Sequence, residues 1–173
     1  MTFLHPNPPP CPRRSPPVDS PLLQDALELY ASLADKFPAS SYLQAQVAVA
    51  HYNRREFDDS EAIFERLRKI DPHRLENVDI YSNILYVKEA KTELSYLAHE
   101  ACQIEQYRAE TCCVIGNYYS LKNRHQKAVI YFQRALKLNR RYLSAWTLMG
   151  HEYVELKNSP AAIEAYRRAV GRF

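Results

Sequence analysis

The chain has 173 residues, 46% of them apolar and 25% charged, with a formal net charge of +3. That length holds one ordinary domain or a short repeat array, and the balance is that of a soluble globular chain. No apolar run approaches the ~20 residues that a membrane helix needs, and the Lys and Arg residues are interspersed with Asp and Glu, which speaks against a nucleic-acid binder.

Only three glycines are present, which disfavours turn-rich β architecture and favours long helices. Thirteen tyrosines suit packed helical hairpins whose phenol tips reach the surface. The four cysteines, Cys11, Cys102, Cys112 and Cys113, form no C-x-x-C pair. They read as reduced thiols of a nuclear or cytosolic protein. The N-terminus has no apolar signal core.

In chain order, residues 1–21 hold eight of the eleven prolines. With little to bury, they are expected to form a disordered, polyproline-like leader. Ser15-Pro16 and Ser20-Pro21 within it have the form of proline-directed kinase sites. From Leu22 the spacing turns helical. Ala26, Tyr30 and Leu33 mark one helix, ended by Pro38, and residues 22–40 read as the second half of a hairpin. A hairpin starting at 41 carries Ala48, His51, Ser60, Phe64 and Leu67 and ends at Pro72. The next, starting at 75, carries Ser82, Leu85, Leu94, Ala98 and Ala101 and keeps the pattern least well. The hairpin starting at 109 carries Gly116, Tyr119, Ala128, Phe132 and Ala135. The last, starting at 143, carries Trp146, Met149, Gly150, Tyr153, Ala162, Tyr166 and Ala169. Three-and-four spacing places each set on one helical face.

The physical roles follow from residue type. The small residue at the eighth position (Ala48, Ser82, Gly116, Gly150) lets the two helices of a hairpin approach closely. A small residue on the second helix (Ser60, Ala128, Ala162) meets it. The aromatic four residues later (Phe64, Phe132, Tyr166) is expected to fill the space between hairpins. Proline cannot continue a helix, so Pro38 and Pro72 end theirs. Ser159 is expected to cap the last helix, with Pro160 in its first turn.

The runs "CCVIGNYYSLKNRHQKAVIYFQRA" and "WTLMGHEYVELKNSPAAIEAYRRA" lie 34 residues apart in register. This pattern resembles the tetratricopeptide repeat, W-x2-L-G-x2-Y…A-x3-F…P, although Arg140 stands where the pattern has proline. The resemblance implies an all-α, right-handed solenoid over residues 22–173. Its first helices line a concave groove and its second helices face outward. Nothing polar caps the outer face of the last hairpin (Ile163, Tyr166, Val170), so a fragment of a longer array is expected.

"ETCCVIGNYYSLK" and "AWTLMGHEYVE" are more specific. Over roughly residues 22–170 the chain resembles the cell-division-cycle repeat subunits of the anaphase-promoting complex, a ubiquitin ligase; residues 1–21 do not share the likeness. The resemblance implies a non-catalytic scaffold without cofactor or metal, in nucleus and cytoplasm. It implies other subunits of the complex and its activator as partners, homodimers in the full-length members, and no nucleic acid or membrane. It also implies a groove that receives an arginine-bearing activator motif. The expected groove positions are Glu110, Cys113, Asn117 and Ser120 on one first helix, and Ser144, Thr147, His151 and Glu152 on the next. The oxygen of Asn117 and the carboxylate of Glu152 suit a guanidinium, which presents a rigid fork of donors.

Other readings have less behind them. A chaperone-docking carboxylate clamp finds only Asn117; Cys113 stands where its lysine belongs, and Val114 and Leu148 where clamp polar residues belong. A helical-repeat RNA binder fits neither the strict 34-residue period nor the mixed charge. His99 and Cys102 sit one turn apart without a second metal-ligand pair. Cys112 and Cys113 lie inside a regular helix, without the turn and oxyanion site a nucleophile requires.

Overall fold

The computed structural model describes residues 21–37 and 40–171. Among these residues there are nine helices and no strand. They are α1 (Pro21–Lys36), α2 (Ser41–Asn53), α3 (Phe57–Ile70), α4 (Val78–Val87), α5 (Lys91–Ile104), α6 (Ala109–Leu121), α7 (His125–Leu138), α8 (Leu143–Glu155) and α9 (Ser159–Ala169). None of these helices is long and apolar enough to cross a membrane. The expected leader and its two kinase sites lie outside the described residues, apart from Pro21. That proline, assigned above to the leader, opens α1 instead. Its fixed φ and missing N–H are harmless in a first turn. Pro38 also lies outside the described residues.

From α2 onward the helices form four antiparallel hairpins, α2/α3, α4/α5, α6/α7 and α8/α9, each packed on the next, with α1 against α2. The hairpin turns share one geometry. Arg55, Glu89, Asn123 and Lys157 are one period apart, and all are left-handed, with φ of 67°, 54°, 56° and 56°. The N–H of the following residue bonds back five residues, as in Glu56 to His51 and Arg124 to Tyr119, at 3.0 and 2.9 Å. These bonds are Schellman closures, which satisfy carbonyls at the helix end. None of the four positions is a glycine, so each turn carries some backbone strain.

The hairpin interiors follow the small-residue rule. Ser60 Oγ donates to Ala48 O at 2.7 Å, joining α2 to α3. A Cβ added to Gly116 would stand 2.7 Å from Phe132 Cζ, and one on Gly150 would stand 2.6 Å from Tyr166 Cε1. At both glycines an aromatic ring is pressed on the backbone. This corrects the expectation that the aromatic fills the space between hairpins. Phe132 and Tyr166 lie inside their own hairpins, because the glycine opens a hollow there. Phe64 does face the next hairpin, with its ring 5.5 Å from that of Tyr81. Phe132 is fully buried, and such burial contributes about 1.5–3 kcal/mol.

Two other expectations change. α4 begins at Val78 and has 10 residues, against 13 in α2, α6 and α8. The segment before it buries Leu75 and ends in Asn77 at φ 61°, a conformation asparagine tolerates better than most residues. Helix start and repeat start therefore separate by three residues. Asn158 rather than Ser159 caps α9, its Oδ1 accepting from Ala161 N at 3.3 Å, and Pro160 sits in the first turn. Pro72 does fall just beyond α3, as expected. Arg140, where the repeat pattern has proline, offers its carbonyl to Trp146 Nε1 at 3.2 Å.

The core runs along the array in two adjoining parts. One gathers Ala48, Phe64, Leu67, Ile84, Leu85, Leu94 and Val114. The other gathers Ala128, Phe132, Ala135, Trp146, Met149 and Ala165, with Tyr119, Tyr153 and Ala169 packed against it. Ala162 is buried as well. At the far end Ile163 and Val170 are more than half exposed and Tyr166 is half-buried.

Candidate partner-binding face

Of the first helices α2, α4, α6 and α8, the last two carry the expected groove residues. Side chains one period apart on neighbouring first helices touch, and this makes a polar ladder. Asn117 on α6 is 1% exposed. Its Nδ2 donates to Ser82 Oγ at 2.8 Å and to Asn83 Oδ1 at 2.7 Å, both on α4. Ser82 in turn donates to the Asp79 carbonyl at 2.7 Å. On the next first helix, Glu152 of α8 is 5% exposed. Its Oε1 accepts from Ser120 Oγ at 2.6 Å and its Oε2 from His125 Nδ1 at 2.9 Å. Ser120 Oγ also lies 3.2 Å from Tyr86 Oη.

These positions correct part of the sequence reading. Cys113, Asn117, Ser120 and Glu152, expected on an open groove wall, are buried between first helices. Close packing of neighbouring hairpins removes them from solvent, and Asn117 Nδ2, Ser120 Oγ and both carboxylate oxygens of Glu152 are engaged by side chains of neighbouring helices. Glu110, Ser144 and Thr147 are half-exposed and His151 is exposed. Glu110 pairs with Arg108 at 3.3 Å, and Thr147 Oγ1 donates to its own helix at Leu143 O. The His151 ring lies 5.7 Å from that of Tyr166 on α9. Asn117 and Glu152 do not bond each other; Asn117 turns back to α4, and Glu152 to α6 and α7. Sequence reasoning missed Asn83, Tyr86 and His125. Asn83 and Asn117 are one 34-residue period apart, as are Tyr86 and Ser120, so the signal was present.

Below the ladder is a second polar cluster. Burial raises the Asp79 carboxyl above its ordinary range, with the Glu110 charge adding to the shift and the Tyr142 hydroxyl opposing it. Burial also drives the Tyr142 phenol up, reinforced by Asp79 and Cys113. The Cys113 thiol is pushed well above its usual value by burial, and that of Cys112 is raised for the same reason. Both sulfurs therefore stay protonated near neutrality and are poor nucleophiles.

His99 Nε2 lies 3.0 Å from Gln103 Nε2, and Cys102 is exposed. Among the described residues, His51, Glu56 and Asp59 bring their ligand atoms within 4.8 Å of one another. Glu56 is already engaged there by His51 at 2.7 Å and Arg54 at 3.0 Å, which closes the α2/α3 turn.

A stack of helical hairpins with a 34-residue period and a small residue at each interior crossing defines a class, the tetratricopeptide-repeat solenoids. The tetratricopeptide repeat model matches residues 109–142 and 143–172. The repeat subunit in the crystal structure of the APC/C hetero-tetramer Cut9-Hcn1 superposes with a TM-score of 0.76 at 24% identity, over 84% of this chain and 28% of that one. That likeness concerns the fold. At the level of sequence, anaphase-promoting complex subunit 8 of Arabidopsis thaliana is 62% identical over 137 residues, 79% of this chain and 24% of the relative. Its namesake from Dictyostelium discoideum is 60% identical over 139 residues, 80% of this chain and 24% of the relative. The chain is thus highly similar to anaphase-promoting complex subunit 8 over about four-fifths of its own length, and it spans about a quarter of the length of these curated relatives.

Proposed function

We propose that this chain is a non-catalytic, partner-binding repeat segment of an anaphase-promoting complex, acting in nucleus and cytoplasm. Its similarity to subunit 8 supports that role. Other subunits of the complex and its activator are the proposed partners, with Asn117 and Glu152 receiving an arginine from one of them. The observation that carries the site is the preset state of Glu152. Its carboxylate is withdrawn from water, held by Ser120 and His125, and placed on the helix next to Asn117. A carboxylate oxygen has two acceptor directions, so each retains room for another donor. Asn117 spends its Nδ2 on α4, which leaves Oδ1 to accept. A guanidinium matches two such acceptors with a planar fork of donors. Because the acceptors are fixed before binding, little side-chain entropy is lost on contact.

The test is capture of the tagged full chain from dividing cells, with partners quantified by mass spectrometry, beside Glu152→Gln and Asn117→Ala. Glu152→Gln keeps the shape and removes the charge. Wild type is expected to recover subunits of the complex, and each variant to recover the arginine-bearing partner about tenfold less or worse, the scale of losing one partner of a buried charged pair. Undiminished recovery by both variants would remove the arginine site. Recovery of no complex subunit by wild type would remove the scaffold role.

A further inference from the structure

On the other side of the array, the second helices leave a cleft between α7 and α9 of about 510 Å³. Trp146, Met149 and Tyr153 of α8 form its floor, and Leu136 and Ala165 form its walls. One and two periods earlier, side chains occupy part of the equivalent space. Between α3 and α5, Arg68 pairs with Glu100 across the gap. One period before the cleft, Tyr131 of α7 stacks on Tyr119 of α6, with centroids 5.4 Å apart and planes at 20°. Moving that pair forward by 34 residues gives Ala165 and Tyr153. Tyr153 therefore keeps its place without a stacking ring, and the cleft opens beside it. A next hairpin packed on the end of the array would cover Ile163 and Val170 on the far side of α9. The cleft lies between two hairpins already in place, so repeat packing does not account for it.

The rim has a sign. Lys137, Arg140 and Arg168 stand around the cleft with Glu164 as the single carboxylate. Glu164 is held by Arg168 at 2.8 Å. Among the described residues, Lys137 and Arg140 have no acidic partner. Arg168 lies over the Trp146 ring, 4.9 Å from its centroid, and so shields the floor from water. An aromatic floor under a basic rim complements an apolar ring flanked by carboxylates.

We propose that the α7/α9 cleft is a docking site for an acidic peptide segment that inserts an aromatic side chain beside Tyr153. Trp146 is the chain's one tryptophan, so its fluorescence reports directly on the cleft. The experiment titrates the full 173-residue chain with the capped hexapeptide Ac-EDLFDE-NH2. Its controls are Ac-KRLFRK-NH2, which reverses the charge, and Ac-EDLADE-NH2, which lacks the ring. The expected result is a saturable change in Trp146 emission with the first peptide, at least tenfold weaker with either control. Ala165→Tyr restores the residue of the preceding repeat and should abolish the response. Lys137→Glu with Arg140→Glu, on exposed positions that leave the core untouched, should weaken it tenfold or more and remove its salt dependence. Helix content by circular dichroism confirms that each variant is folded. No saturable response to the acidic peptide, or an equal response from the double charge variant, would overturn the proposal.

Discussion

Hairpins α4/α5 and α6/α7 are neighbours in one array and occupy the same period, yet different chemistry fills them. In α6/α7 a glycine backbone receives a phenylalanine ring, and one contact, Phe132 on Gly116, defines the helix crossing. In α4/α5 the corresponding residues are Ser82 and Ala98, with no ring to seat. Ile84, Leu85, Leu94 and Leu97 fill the interior instead, all at most 2% exposed. What the two share is the turn, with Glu89 and Asn123 both left-handed. The turn and the buried small position carry the period, whereas the filling is interchangeable, as cores of similar volume generally are. A repeat that lacks the signature is therefore still a full member of the stack.

The largest expected effect comes from removing the ring. Phe132→Ala should lower unfolding stability by about 3–5 kcal/mol, the range for an enclosed aromatic. Leu94→Ala in the other hairpin should cost about 2–5 kcal/mol. If the single ring matters more than any one aliphatic residue, denaturant midpoints will rank the two in that order.

A smaller effect separates the two glycines. Gly116→Ala forces a methyl against the fully buried Phe132 and should cost about 1–3 kcal/mol. Gly150→Ala meets the half-buried Tyr166, which has room to swing outward, and should fall at the low end of that range. Gly116→Ala combined with Phe132→Leu should recover part of the loss, since the contact is what penalises the single change. Thermal unfolding of the four proteins decides this.

Smaller still is the contribution of the turns. Replacing Glu89 or Lys157 by glycine should raise stability by roughly 0.5 kcal/mol, the relief of a left-handed backbone less the added chain entropy. Equal gains at both sites would show that the turn is independent of the filling around it.

Asp79 contributes a slope with pH. Its carboxyl titrates higher in the folded protein than in the unfolded chain because burial disfavours the charge. The folded state thus binds the proton more tightly. Stability from this group is full below the unfolded value near 3.8 and is lost as pH rises through the folded value. Asp79→Asn should flatten that part of the profile. Denaturant titrations of both proteins from pH 4 to 8 measure the difference.

The fold was largely legible from residues 109–169. Gly116 and Gly150, two of only three glycines, lie one period apart and fix the phase. The late start of α4 was not legible, because Ser82 marks the period without marking where the helix begins. That boundary depends on how Leu75 is buried and how Asn77 turns. The candidate site was half legible. Position within the repeat picked out Asn117 and Glu152, but treating each first helix as a separate wall hid that side chains a period apart bond one another. The α7/α9 cleft was hidden for a different reason. It exists because Ala165 replaces the tyrosine seen at 131, and an alanine on a helix carries no signal of its own.

The ladder along the first helices also has a mechanical consequence. Short bonds from Asn117 to Ser82 and from Glu152 to Ser120 fasten neighbouring hairpins on one side of the array. On the opposite side, a surface ion pair joins α3 to α5, and α7 and α9 stand apart at the cleft. Flexing that parts the first helices must break buried hydrogen bonds, whereas flexing that parts the second helices meets only weak resistance. The array therefore behaves as a leaf spring clamped along one edge: stiff where it is fastened and compliant on its back, so that a load applied there bends it without disturbing the fastened side.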